Sequence, residues 1–190
     1  MCSQTSNRVP PDRPVISPYP NQYEMTTITK AGLPILIRPI KPEDAPLLVE
    51  LFHSLSRQSV HYRFFSPIKY LPHEMLARFT QIDYDRDMAL VAMDNTQPKE
   101  KMLGVARFFG DPDGKKVEFA VAVGDPWQGK GIGVALMERL IAIAKENGVE
   151  FMNGEVLAEN THMLAMTRKL GFSDSRMPHS SQYKLELELK

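Results

Sequence analysis

A chain of 190 residues, 43% of them hydrophobic, is long enough to close one ordinary domain around a real core. Its 23 lysines and arginines are matched by 23 aspartates and glutamates, which argues against a dedicated nucleic-acid surface, because such a surface shows as a basic excess. A single cysteine, Cys2, permits no disulfide within the chain, and no apolar run approaches the roughly 20 residues needed to span a bilayer.

The amino-terminal "MCSQTSNRVPPDRPVISPYP" lacks the apolar core of a secretory signal, so a reducing cytoplasm is the expected compartment and no membrane partner is expected. Five of the fifteen prolines fall in residues 1–20. Residues 1–22 read as an arm or linker, and residues 23–190 as one domain. Cys2 in that arm reads as inert, since nothing near it would depress a thiol pKa.

"LPILIRPI" (33–40) reads as a strand, and "PEDAPLLVELFHSLS" (42–56) as a helix with Leu47, Leu48, Leu51, Phe52 and Leu55 on one face. Pro42, Glu43 and Asp44 suit that helix's first turn. A second helical region runs from about 72 to 81. "DMALVAMD" (87–94) and "MLGVARFFG" (102–110) read as the next two strands. "DPDG" (111–114) is turn chemistry, and "KVEFAVAV" (116–123) after it makes a hairpin, so the sheet is antiparallel at its centre.

Residues 131–147 form a helix with Ile132, Leu136, Leu140 and Ala144 as one stripe and Gly148 beyond its end. A strand (149–158), a short helix (160–172) and a final strand with Tyr183, Leu185, Leu187 and Leu189 on one face complete the chain. The expected fold class is α/β, a mixed, mostly antiparallel central sheet flanked by helices.

The stretch "DPWQGKGIGVALME" (125–138) carries the strongest local signal. A dinucleotide fingerprint G-x-G-x-x-G fails because Val134 stands at the third glycine. A P-loop fits from Gly124 to Lys130, but Gly131 occupies the place of the magnesium-binding hydroxyl, and the strand before it belongs to a hairpin. What remains is Q-x-x-G-x-G, at Gln128, Gly131 and Gly133. Here loop N–H groups and the positive end of a helix dipole can face a pyrophosphate. The alternative is a glycine-rich helix entry with no ligand.

Period-two alternation puts Val117, Phe119, Val121 and Val123 on one strand face and Glu118, Ala120 and Ala122 on the other. A carboxylate among small residues is placed to take a proton from an ammonium. The alternative is an ordinary strand carboxylate paired with a surface cation.

"DYDRDMALVAMD" imitates a calcium loop through Asp83, Asp85 and Asp87, but Met88 and Asp94 stand where glycine and glutamate are needed. These aspartates read as solvated or as turn caps. The histidines at 53, 61, 73, 162 and 179 show no ligand spacing, and no metal is expected. Tyr62, Phe64 and Phe65 read as core with partial exposure, and Trp127 as packing that holds the loop's shape.

"VEFAVAVGDPWQGKGIGVALMERLIAIAKENGV" followed by "NTHMLAMTRKLGF" resembles the core of the GNAT (GCN5-related N-acetyltransferase) superfamily. The likeness covers about residues 31–190. "IRPIKPEDAPLL", "SVHYRFFSP" and "TQIDYDRDMALVA" resemble more narrowly the acetyltransferase domain of the bacterial Pat-type protein lysine acetyltransferases. In long members of that group the domain sits beside a large acyl-CoA-synthetase-like region, so the chain is expected to be a stand-alone member or an excised domain.

The resemblance implies acetyl-CoA as cosubstrate and a protein lysine, such as one in an acyl-CoA synthetase, as acceptor. It implies that the backbone of Val121, Ala122 and Val123 pairs with the pantetheine arm. Gln128, Gly129, Lys130, Gly131, Ile132, Gly133 and Val134 would cradle the pyrophosphate, Asn160 would reach the cofactor, and Glu118 would be the catalytic base. One departure stands out: many members carry a tyrosine seven residues after the asparagine, as general acid, where this chain has Thr167. A small-amine acceptor and a non-catalytic acetyl-CoA sensor therefore stay open beside the protein acceptor, and no oligomeric state follows.

Overall fold

Strand runs and amphipathic segments assemble into one eight-stranded sheet with five α-helices in a computed structural model that describes residues 18–94 and 96–189. The chain runs β1 (Met25–Ile28), β2 (Pro34–Pro39), α1 (Ala45–His53), α2 (Arg57–Phe64), α3 (His73–Thr80), β3 (Met88–Asp94), β4 (Met102–Gly110) and β5 (Lys116–Val123). It continues through α4 (Ile132–Glu146), β6 (Phe151–Leu157), α5 (Thr161–Lys169), β7 (Ser173–Arg176) and β8 (Gln182–Glu188). In space the order is β1-β2-β3-β4-β5-β6-β8-β7. Every neighbouring pair is antiparallel except β5–β6, so the sheet is mixed and mostly antiparallel, as the sequence implies.

Helices cover both faces, which explains why β3 and most of β4 are buried without alternation. On one face the α4 stripe Ile132, Leu136, Leu140 and Ala144 is at most 1% exposed against Ile35, Leu90 and Phe108. Each large aliphatic side chain buried there contributes about 1.5–3 kcal/mol. On the other face Leu48 and Leu51 of α1 pack on Ala89, Val91 and Val105. The hairpin turn closes as its sequence requires: Gly114 takes φ +70°, and its N–H donates to Asp111 O at 3.1 Å.

Three elements differ from the sequence expectation. β1 and β7 are four-residue edge strands with no buried position, so neither shows a two-residue hydrophobic period. α2 buries only Val60; it is held at its start by Ser56 Oγ, which accepts from Ser59 N at 3.2 Å. Ahead of β1, the Tyr19 hydroxyl donates to Glu24 Oε1 at 2.7 Å and Pro39 O at 3.1 Å. Cys2 and most of the arm (1–17) lie outside the described residues.

The start of α1 is pinned by a buried ion pair. Arg38 Nη1 and Nη2 donate to the two carboxylate oxygens of Asp44 at 2.7 and 2.8 Å, both side chains being 6% exposed. Asp44 Oδ2 also accepts from Lys41 N at 2.7 Å. Of the three aspartates before β3, Asp83 accepts from Asp85 N at 3.3 Å and so caps a turn. Asp87 is half-buried, accepts from Gly110 N at 3.0 Å, and has its carboxyl pushed up by desolvation. Among the described residues no group of three or more His, Cys, Asp or Glu could hold a metal, and no helix is long and apolar enough to cross a membrane.

Candidate active site

A sheet normally pairs along the length of its strands, but β5 and β6 do not. Their parallel pairing holds only for Lys116–Phe151, Val117–Met152 and Glu118–Asn153. Beyond that point β5 stays with β4, and β6 with β8. The strands part where Phe119 packs on Gly154: a Cβ at Gly154 would lie 2.5 Å from the Phe119 ring. The ring in turn packs on Phe172, with centroids 5.0 Å apart. Residues 119–123 of β5, including Val121, Ala122 and Val123, thus border a gap with no strand on their β6 side among the described residues. That edge can pair with the amides of an extended ligand.

The Q-x-x-G-x-G loop closes the open end of this gap. Gly124 passes so close to α1 that a Cβ would fall 2.5 Å from Ser54 Oγ. A 3₁₀ turn (Asp125–Trp127) follows. The Gln128 side chain turns back into the loop, with Nε2 3.0 Å from Val123 O, 3.2 Å from Asp125 Oδ1 and 3.3 Å from Ser59 Oγ. It therefore fixes the loop, as does its backbone N–H, which donates to Asp125 O at 3.3 Å.

The glycines serve different needs. Gly129 and Gly131 take φ +74° and +84°, a region that side-chain-bearing residues rarely adopt. Gly133 instead lets α4 approach Met166 of α5, whose Sδ would be 3.3 Å from an added Cβ. The N–H groups of Gly129, Lys130, Gly131, Ile132, Gly133 and Val134 have no acceptor among the described residues. They collect at the N-terminus of a 15-residue helix with no acid in its first turn. Such a concavity of donors favours a phosphate. Trp127 is gripped between Lys130 Nζ and Lys101 Nζ, 4.4 and 5.1 Å from its centroid, which holds the loop's shape.

Glu118 stands at the closed end of the gap, exposed, on the face covered by α1, α2 and α3. It makes no ion pair among the described residues, so the reading as an ordinary paired carboxylate is not what forms. Beside it on β6, Asn153 Oδ1 is buried without a partner among the described residues. Asn160 lies just past β6, across the gap from the end of β5, and caps α5 by accepting from Met163 N at 3.2 Å. Glu118, the β5 edge, the loop and Asn160 all border one gap.

Thr167 lies elsewhere. It is 0% exposed, and its hydroxyl is committed to the Met163 and Leu164 carbonyls at 3.0 and 3.2 Å. No proton donor stands at that position.

Helix α2, absent from the sequence reading, bridges the mouth of the gap. Ser59 meets Gln128 at one side; at the other, Tyr62 OH donates to Glu159 O at 3.3 Å, and His61 Nε2 is 3.7 Å from Glu159 Oε1. It also brings Arg63 over the sheet. Burial pushes that guanidinium down to about 10, with the Glu118 carboxylate opposing. Arg63 and its neighbour Arg107 on β4 were not foreseen. The one signal was a cation at the centre of the apolar run "MLGVARFFG".

Residues 56–172 match the family model described as the Acetyltransferase (GNAT) family. Acetyltransferase PA5475 of Pseudomonas aeruginosa is 32% identical over 150 residues, 79% of this chain and 81% of that protein. Acetyltransferase Pat of Mycolicibacterium smegmatis is 28% identical over 157 residues, 82% of this chain but 44% of that protein, so the chain spans less than half of that relative's length. Among solved structures, the GNAT domain of S. lividans PAT superposes with a TM-score of 0.83 at 28% identity, covering 90% of this chain and 100% of that one.

Proposed function

The chain belongs to the acetyltransferase (GNAT) family and is an acetyl-CoA-dependent N-acetyltransferase, and from that premise we propose that it acetylates the ε-amine of lysine in a protein substrate, with Glu118 as general base. The observation that carries the chemistry is an exposed carboxylate, without an ion pair among the described residues, at the point where β5 and β6 part. The Pat-like segments and the match to the S. lividans PAT domain support a protein acceptor, an acyl-CoA synthetase being one candidate.

In this reading the free β5 edge at Val121, Ala122 and Val123 aligns the pantetheine arm. The N–H groups from Gly129 to Val134 hold the pyrophosphate, and Asn160 closes the far side. Lysine is almost wholly protonated at neutral pH, with a pKa of about 10.4. Glu118 takes that proton, directly or through water held near Asn153. The amine nitrogen then bonds to the thioester carbonyl carbon, β5 N–H groups stabilise the oxyanion, and the C–S bond breaks to release thiolate as the nitrogen gives up its second proton to solvent water. With Thr167 buried, the thiolate leaves without a donor from that position.

Mass spectrometry of a proteome incubated with the protein and labelled acetyl-CoA tests the acceptor. Label on a restricted set of lysines is expected. Label confined to small amines would replace the protein acceptor, and tight acetyl-CoA binding with no transfer would favour a sensor.

A second expectation concerns the loop. Gly131→Val places a β-branched residue at φ +84° with its Cβ 3.4 Å from Lys30 N. Strain of about 1–3 kcal/mol must be relieved by moving the cradle. Acetyl-CoA should bind at least ~10-fold more weakly by calorimetry, while the melting curve stays cooperative.

A further inference from the structure

Between α1, α2, α3 and the β4–β5 hairpin lies a cavity of about 30 Å³, walled by Leu48, Leu51, Phe64 and Phe79 and containing Arg63 and Arg107. The space is that of one or two waters, or of one small polar group. Arg107 is 2% exposed. One of its nitrogens, Nη1, donates to Phe79 O at 3.2 Å, its guanidinium lies 4.3 Å over the Phe79 ring, and its Nε has no partner among the described residues. Arg63 makes no hydrogen bond among the described residues and only faces the Phe64 and Phe79 rings, at 4.9 and 5.8 Å. Neither arginine forms an ion pair among the described residues.

Arg107 is buried and Arg63 half-buried, and two like charges held this way with unused donors are costly unless something anionic joins them. Burial and then the charge of Arg63 push Arg107 down to about 9, so both remain cations at neutral pH. Packing on Phe79 does not require this arrangement, since a methionine would fill the same space without burying a charge. The planar forks of two guanidinium groups fit a carboxylate. The cavity also has a direction: Arg107 pairs in register with Ala120, Ala122 lines the wall, and Glu118 lies on the same strand face within the field of Arg63. A negative site stands beside a doubly positive one, which complements an amine that also carries an acid group.

We propose that Arg63 and Arg107 form a subsite for a carboxylate borne by the acceptor, set so that the acceptor's amine reaches Glu118. This rests on the reading of Glu118 as base and narrows the acceptor class. The carboxylate can be the α-carboxylate of a free amino acid or an acidic side chain beside the target lysine.

The test pairs four probes, each with a free ε-amine: Nα-acetyl-lysine against its amide, and acetyl-Glu-Lys-amide against acetyl-Gln-Lys-amide. Binding to the full chain is read by saturation-transfer NMR, and transfer by thiol release. One acidic probe should exceed its neutral partner by ~10–100-fold in affinity, as expected for charge-assisted hydrogen bonds. Preference in the first pair assigns a free amino acid, and in the second an acidic neighbour.

Arg107→Met should erase the preference while leaving acetyl-CoA affinity intact, and Arg107→Lys should keep part of it. If Arg107→Met does not fold, Arg63→Met, on the less enclosed side, must reduce the preference. Equal binding within both pairs, or a preference that survives these substitutions, overturns the subsite. Preference without transfer would leave the subsite standing and remove the proposed chemistry; transfer without preference would do the reverse.

Discussion

Glu118→Gln should lower kcat/KM for amine acetylation by ~10²–10⁴-fold at pH 7, the range of a lost general base. The change keeps the shape of a side chain that is exposed and makes no ion pair among the described residues, so folding should be untouched. Only the neutral fraction of the lysine can then react. With a pKa of about 10.4, that fraction rises tenfold per pH unit. The variant should therefore recover steeply as pH rises toward 10, closing most of the gap to the parent. Thiol release measured from pH 6 to 10 for both proteins, with acetyl-CoA affinity measured alongside, decides the matter. Equal rates and parallel profiles would remove Glu118 from the chemistry.

Asp44→Ala should destabilise the fold by about 3–5 kcal/mol, the cost of stranding a buried charge. Arg38 would lose both of its short hydrogen bonds to the carboxylate, and Lys41 N its acceptor. What remains is one contact from Arg38 to Pro39 O at 3.1 Å, in a site that side chains screen from water. The midpoint of urea unfolding should fall with little change in slope. Adding Arg38→Met should recover part of the loss, because removing both charges leaves nothing stranded. If the double variant is no better than the single one, the burial argument fails. The effect reaches the candidate site through α1, whose C-terminal Ser54 carbonyl accepts from Asp125 N at 3.3 Å at the loop's root.

Much of this arrangement is legible in the sequence because periodicity reports burial. The α4 stripe, the β4–β5 hairpin and the alternation that separates Glu118 from Phe119 each follow from one local pattern. α2 is invisible to the same method. "RQSVHYRF" has no apolar stripe, and its place is set by Ser59, Tyr62 and Arg63 touching residues far along the chain. β1 and β7 are short edge strands without a buried position, and they exist because a neighbour offers them a ladder. Arg63 and Arg107 are 44 positions apart, and only the packing of α2 on the sheet brings both to one cavity. The motif at Gln128 identifies the loop, yet not that its side chain serves the loop itself.

The parting of β5 from β6 has a thermodynamic consequence. A strand edge left open inside the sheet is an unfinished ladder, and a ligand that pairs with it completes the sheet as a missing strand would. Anything bound only by the folded chain stabilises it by mass action, by about 2.7 kcal/mol at a hundredfold excess over Kd. A marginal fold built this way is firmest when its acyl donor is abundant and loosest when the donor runs short. Its resistance to unfolding, and so to proteolysis, would then track the supply of acetyl-CoA as closely as its turnover does.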